Sequence, residues 1–406
     1  MSIKKLFTLS LAVLMTLALV GCSAKPSETP ADDKVAVTVT VWGPQEDQSD
    51  DNGRWLQTMC ENFAAAHPEW EITIYYGVCS EGDAQTNVTT DPAAAADVYM
   101  FANDQIPDLL KAGAIAELGG STVEAIKKNN SGTTVNTVTY DGSVYGVPFT
   151  ANTWFMYYDK SVFTEEDIKS LDTMLEKGKV AFPLNNSWYL ASFYVANGCT
   201  LFGPDGGDAA AGLDFSGDKA VAVTDYLVDL VANPNFVNGD VSTGTDISAF
   251  FSGTWDAQKA LDAYGDNLGI AASPAYALGQ LKSFAGSKAI GVNPQTALYA
   301  EHPEIAVALA AYLGSTEAQQ AHYEYRKGEV IPTDSNINVG DDALAKAQMD
   351  TMDYASIVQP LQADMGNYWG PAQSMGDELV AGTVTHENAA EKTEAMNAAM
   401  NSSVVQ

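Results

Sequence analysis

Aromatic rings recur beside amides, hydroxyls and carboxylates at six separated turns of this 406-residue chain. Trp42 precedes Gly43-Pro44-Gln45-Glu46-Asp47, Phe101 precedes Ala102-Asn103-Asp104-Gln105, and Trp154 follows Asn152. Trp188 and Tyr189 follow Asn185 and Asn186, Trp255 follows Gly253-Thr254, and Tyr368-Trp369 follow Asn367. A pyranose presents an apolar C–H face that packs on a ring, and a rim of hydroxyls that needs donors and acceptors in one plane. The set therefore fits a neutral polyhydroxylated ligand. Any one of these tryptophans, taken alone, reads as core. The case rests on the set.

Bond-breaking chemistry on such a ligand needs two carboxylates on opposite sides of the bond. Glu46, Asp47, Asp104 and Asp256 lie near the turns and suit that part, but Asn152 and Asn186 occupy two of the other cleft positions, and amides bind sugars without ionising. No G-x-S-x-G, Walker A, HExxH or G-x-G-x-x-G occurs. The acidic run 46–51 misses the EF-hand pattern, because Gln48 takes the first ligand position relative to Gly53, and it reads as a solvated face. His67, His302, His322 and His386 show no paired spacing, so no metal or other cofactor and no catalytic residue is assigned. A cell-surface carbohydrate-active hydrolase stays open as the alternative to a binding protein.

Composition narrows the field. With 46% apolar and 18% charged residues over 406 positions, two domains are expected. Lys plus Arg number 20 against 52 Asp plus Glu, a formal charge of -32 and a pI near 4.1, which excludes nucleic acid as a partner. Ten per cent aromatics and a mean hydropathy of -0.08 describe a soluble globular body. Residues 1–22 do not belong to it: Lys4 and Lys5 precede an apolar run broken only by Thr8, Ser10 and Thr16, then Leu19-Val20-Gly21-Cys22. This is a secretory signal, short of the roughly 20 apolar residues a membrane span needs. Leu-Val-Gly-Cys resembles the lipobox of bacterial lipoproteins, which implies that Cys22 becomes the lipidated first residue, anchored through two or more acyl chains. Without residues 1–21 the chain keeps 18 basic and 52 acidic residues, a formal -34 over 385 positions. Residues 23–34 (SAKPSETPADDK) read as a flexible tether. Export permits a disulfide between Cys60 and Cys79, which spacing leaves open.

The elements that must position the rings alternate. Residues 35–42 (VAVTVTVW) have the period of a half-buried strand, Trp55, Leu56, Met59, Cys60 and Phe63 recur at helical spacing until His67-Pro68, and residues 71–76 (EITIYY) return to period two. Residues 96–101 form a third apolar run, and 106–111 a helix ending at Gly113. Residues 146–158 (GVPFTANTWFMYY) read as an extended stretch interrupted at Pro148 and Asn152. A helix follows over 220–231, then one helix or two packed end to end over 303–326, and a terminal helical region over 375–400. No internal repeat appears. This alternation predicts an α/β fold with parallel or mixed sheets covered by helices on both faces, and ligands in such sheets sit at the carboxyl ends of strands.

Five stretches carry a family likeness: 39–43 (VTVWG), 96–118 (ADVYMFANDQIPDLLKAGAIAEL), 141–160 (DGSVYGVPFTANTWFMYYDK), 252–256 (SGTWD) and 304–317 (EIAVALAAYLGSTE). In their order and spacing the chain resembles the extracellular solute-binding proteins of ABC sugar importers, the maltose and maltodextrin-binding group, across nearly all of 35–400. The resemblance implies a periplasmic-binding-protein-like fold, two α/β lobes with central mixed sheets joined by a three-segment hinge. Lobe one takes 35–150 and 285–330, and lobe two takes 151–284 and 331–406. It implies no enzyme activity, an oligosaccharide ligand closed between the lobes, ABC permease membrane subunits as partners, a lipid anchor on the outer face of the bacterial cytoplasmic membrane, and a monomer. The family's site falls on Phe101, Asp104 and Gln105, on Asn152, on Asn186 with Trp188 and Tyr189, on Trp255 and Trp369, and on Glu46 and Asp47. Trp42, Trp154 and Tyr368 join it from the aromatic set. Gln105, Asn152 and Asn186 are neutral where the family carries charge, so a maltodextrin is favoured and another oligosaccharide stays open.

Overall fold

The computed structural model describes residues 34–326 and 328–402, so the leader at 1–21, Cys22 and nearly all of the tether lie outside the described residues. Two mixed sheets organise the chain. One runs in the order Ser356–Val358, Ser283–Val292, Val98–Ala102, Val35–Gly43, Trp70–Val78, with Val147–Asn152 also paired to Ser283–Val292. Val35–Gly43 is parallel to both its neighbours, and Ser283–Val292 is antiparallel to Val98–Ala102 and Val147–Asn152. The other runs Phe236–Asn238, Lys179–Phe182, Ile247–Ser252, Phe155–Asp159, Leu268–Ala271. Each sheet is the centre of one α/β lobe.

Hydrophobic period decides which face each residue takes. Val37, Val39 and Val41 enter the first core, and helix Trp55–Ala66 buries Trp55, Leu56, Met59, Cys60 and Phe63, the residues whose spacing marks it. In the second lobe successive residues of one strand enter different cores. Trp154, Met156 and Tyr158 join Val180, Phe182 and Phe251 on one side, and Phe155 and Tyr157 join Ala181 and Phe250 on the other. A strand buried on both faces reads as a continuous apolar run, which is why 146–158 looks like one element. It is two: Val147–Asn152 belongs to the first sheet and Phe155–Asp159 to the second. Pro148 does not interrupt its strand, because the pairing register with Ser283–Val292 shifts beside it and a bulge tolerates the missing N–H.

The 303–326 segment is two helices, Pro303–Leu313 and Thr316–Tyr325. Gly314 separates them where a Cβ would stand 2.3 Å from Val147, and Ser315 Oγ accepts from the Ala318 N–H to start the second. The terminal region also splits, into Gly366–Val380 and Ala389–Met400.

One open pairing is decided here and one expectation is corrected. Cys60, Cys79 and Cys199 are buried free thiols rather than a disulfide and a remainder. Cys79 Sγ accepts from Asn87 Nδ2 at 3.2 Å, and burial pushes the Cys60 thiol up to about 12. The acidic run 46–51 is not all solvated face, because Asp47 is fully buried. Its Oδ1 stands 2.8 Å from His322 Nε2 and accepts from Arg326 Nη1 at 2.7 Å, stapling the 44–54 loop to the helix Thr316–Tyr325. Burial by itself raises a carboxyl pKa, but His322 and Arg326 outweigh it and hold Asp47 below its ordinary value. Asp47 is thereby withdrawn from any ligand.

In denaturant without reductant, a thiol titration of residues 23–406 should count three per chain; a count of one would mean that Cys60 and Cys79 are bonded. Replacing Asp47 with Asn should cost about 3 kcal/mol in urea unfolding at pH 7, since it removes the buried carboxylate that pairs with the Arg326 guanidinium and bonds His322. That deficit should shrink as pH falls through the depressed Asp47 pKa, where wild type loses the same charge. Equal stability of the two proteins at pH 7 would contradict the staple.

Candidate functional site

A cavity of about 600 Å³ opens between the lobes, a size typical of small-molecule sites. Thr150, Asn152 and Lys288 line it from the first sheet, Glu329 and Val330 from the segment after helix Thr316–Tyr325, and Trp255, Gln258 and Leu261 from the second lobe. Trp255 is 53% exposed. It sits in the turn Thr254–Asp256 that follows strand Ile247–Ser252, folded back so far that a Cβ on Gly253 would stand 2.0 Å from its ring. Tyr157 Oη donates to the Gly253 carbonyl at 2.8 Å and fixes the turn from the core below.

Half-buried Trp188 stands 6.1 Å from Trp255, centroid to centroid, tilted by 42°. Its edge meets Tyr189 at 5.4 Å, and Tyr189 stacks on Trp154 at 5.0 Å. The rings thus run in a chain from open cavity to closed core. Only the outer two can meet a ligand: Trp154 is fully buried and Tyr189 nearly so. Phe101 and Tyr368 are also fully buried. Phe101 lies in a central strand against Gly146 and Gly291, where Cβ atoms would come within 3.0 and 3.1 Å of its ring. Tyr368 Oη donates to the Ser187 carbonyl at 2.7 Å. Phe101, Trp154, Tyr189 and Tyr368 are therefore foundations of the turns and not platforms, because each lies on an element covered on the side its ring faces and burial of a large ring wins. Trp369 stays half-buried, edge-on to Phe284 at 5.7 Å and Tyr368 at 5.0 Å. Trp42 is half-buried too, laid over Gly77, where a Cβ would stand 2.3 Å from its ring.

Among the polar residues, Glu46, Asp104, Asn152 and Asn186 are exposed. Asp104 occupies the turn Asn103–Gln105 at the carboxyl end of Val98–Ala102. Solvent reaches it, yet the surrounding protein desolvates it enough to raise its carboxyl above the ordinary range. Asn186 Oδ1 accepts from the Trp188 N–H at 2.9 Å and caps helix Ser187–Ala196. Gln105 is committed elsewhere: Nε2 donates to the carbonyls of Glu81 and Gly82 at 2.9 and 2.7 Å, and Oε1 accepts from the Gln85 N–H at 2.9 Å. It holds a loop rather than a ligand.

Two charged residues escaped the sequence reading. Lys288 lines the cavity and pairs with Glu81, Nζ to Oε1, at 3.0 Å. Glu81 follows strand Trp70–Val78 at its carboxyl end, the place to look, but no ring stands beside it; Lys288 lies inside a strand and gives no local signal. Among the described residues no group of three His, Cys, Asp or Glu could hold a metal ion, and no helix is long and apolar enough to cross a membrane. Of the four carboxylates a hydrolase would recruit, Asp47 is buried and Asp256 accepts from Ser252 Oγ at 2.6 Å and pairs with Lys259 at 2.9 Å. The arrangement can stack rings on a sugar and bond its hydroxyls.

The description bacterial extracellular solute-binding protein matches residues 58–351. The chain is 25% identical over 428 aligned positions, covering 95% of each sequence, to the maltooligosaccharide ABC transporter solute-binding lipoprotein of Streptococcus pneumoniae. A structure solved with acarbose is 50% identical with a TM-score of 0.75, covering 90% of this chain and 99% of that one. The maltodextrin binding protein MalE1 of L. casei, solved without ligand, has a TM-score of 0.80 at 22% identity over 91% of this chain and 100% of that one, a match of fold. The two lobes and the cleft between them are those of a periplasmic-binding-protein-like fold, and the chain belongs to the bacterial extracellular solute-binding proteins, a family of ligand carriers rather than enzymes.

Proposed function

We propose that this protein captures maltodextrin-type oligosaccharides between its lobes and passes them intact to the membrane subunits of an ABC importer. The observation that carries this reading is the open Trp255 ring, with Trp188 beside it, sharing one 600 Å³ cavity with Asn152 of the other sheet. The maltooligosaccharide-binding relative and the acarbose-bound relative support the same ligand class. In this reading lobe one comprises about 35–150 and 285–330 together with the edge strand Ser356–Val358 of its sheet, and lobe two the remainder of the folded body. Trp188, Trp255 and Trp369 stack on sugar faces; Asp104, Asn152 and Asn186 read hydroxyls; Glu46 and Trp42 border the entrance. A desolvated Asp104 accepts a hydroxyl more strongly than a fully hydrated carboxylate does. Cys22 carries the lipid that holds the monomer at the outer face of the cytoplasmic membrane, and closure of the lobes over the sugar is what the permease recognises.

Calorimetry of residues 23–406 should give micromolar binding of maltotriose and no heat with raffinose or xylotriose. Heat from another sugar with silence for maltotriose would overturn the ligand and keep the receptor. Trp255→Ala should weaken maltotriose binding by about 1 to 3 kcal/mol with the fold intact, and unchanged affinity would remove Trp255 from the site. Prolonged incubation with starch fragments should release no new reducing ends; their appearance would make the protein a hydrolase.

A further inference from the structure

Among the described residues, Lys288 is the lysine that lines the interlobe cavity. Its strand places it between two others, opposite Ala102 at the carboxyl end of Val98–Ala102 and opposite Thr150 of Val147–Asn152. Its side chain keeps 38% exposure, whereas the side chain of its partner Glu81 keeps 8%. The pair is therefore asymmetric: the carboxylate is sunk in the lobe and the ammonium stands at the cavity wall. Glu81 is itself fixed, because the Gln105 amide donates to its carbonyl and to that of Gly82. A lysine is a point charge with three donors on a flexible stem, and holding one donor on a fixed carboxylate lowers the ordering cost of offering the others. Lys288 supplies a cation to the cavity wall beside Asn152 and Thr150.

We propose that Lys288, oriented by Glu81 and indirectly by Gln105, is a sugar-binding residue that donates to ligand hydroxyls across the cavity from Trp255. The assignment rests on the maltodextrin reading and adds to it a cationic donor from lobe one. Lys288 touches the ligand; Glu81 and Gln105 position it.

The test measures maltotriose binding by calorimetry in residues 23–406 as wild type, Lys288→Met, and the double variant Lys288→Met with Glu81→Gln. Both variants should bind about tenfold or more weakly, the scale of a lost hydrogen bond from a charged donor. In wild type, saturating maltotriose should protect Lys288 from acetylation by acetic anhydride, read by peptide mass spectrometry, while Lys128 on the outer helix of lobe one stays unprotected. The double variant separates contact from folding. Recovery of wild-type affinity there would trace the single variant's defect to an unpaired buried Glu81 and overturn the proposal, as would wild-type affinity in Lys288→Met. Wild type that ignores maltotriose would overturn the maltodextrin reading and this assignment together, whereas wild type that binds it while Lys288→Met binds equally well overturns the assignment alone.

Discussion

Between Asn152 and Phe155 the backbone leaves one sheet and enters the other, and every feature of the cleft depends on that passage being held in place. Thr153, fully buried, does the holding: its hydroxyl lies 2.6 Å from Ser283 Oγ and donates to the Phe284 carbonyl at 2.9 Å. Ser283 belongs to the return passage, and its N–H donates to the Ala355 carbonyl at 2.9 Å. The Ala151 N–H donates to the Ile331 carbonyl at 3.1 Å, and Gln348 Nε2 donates to the Ala151 carbonyl at 3.0 Å. Hydrogen bonds thus tie the 151–153 passage to Ser283, Phe284 and Ile331, beside apolar contacts that also span the junction: Phe284 enters the second-lobe core, and Tyr323 and Ile331 pack with Phe155 and Tyr157. Hinge residues of this kind absorb small changes of backbone angle while the packed lobes move as bodies.

The cleft chemistry follows from where that junction points its neighbours. Asn152, the last residue of its strand, opens into the cavity; Trp154, two residues on, turns into the second core and becomes the base under Tyr189 and Trp188. Affinity for a sugar would come from the outer rings, which are anchored by buried rings that never touch ligand. Selectivity would come from groups whose geometry is already fixed by capping, by turns or by ion pairing before a ligand arrives. Preorganisation of this kind reduces the ordering cost of binding. Asp47 shows the same division of labour, with its charge spent on holding a loop to a helix.

Much of the scaffold was legible from period alone. The first strand, the helix after it and the strand that follows stand where alternation and helical spacing place them, because each buries one face against one core. The site was less legible. A sequence shows that a ring adjoins a turn but not which side of the strand it faces, so Trp255 and Phe101 look alike before folding and end at opposite extremes of exposure. Long-range partners were invisible for the same reason: Asp47 meets residues 275 and 279 positions away, and the Lys288 pair joins a mid-strand residue to a distant loop. The cysteine pairing, which spacing left open, is decided only by the fold, in which all three thiols are buried and free.

The two lobes should close on a sugar about the Thr153 junction. Small-angle X-ray scattering of residues 23–406, with and without saturating maltotriose, tests it most directly. Closure gives a smaller radius of gyration and a shorter maximum dimension in the presence of the sugar, with no change on adding raffinose. An unchanged scattering curve at a maltotriose concentration that calorimetry shows to be saturating would contradict it.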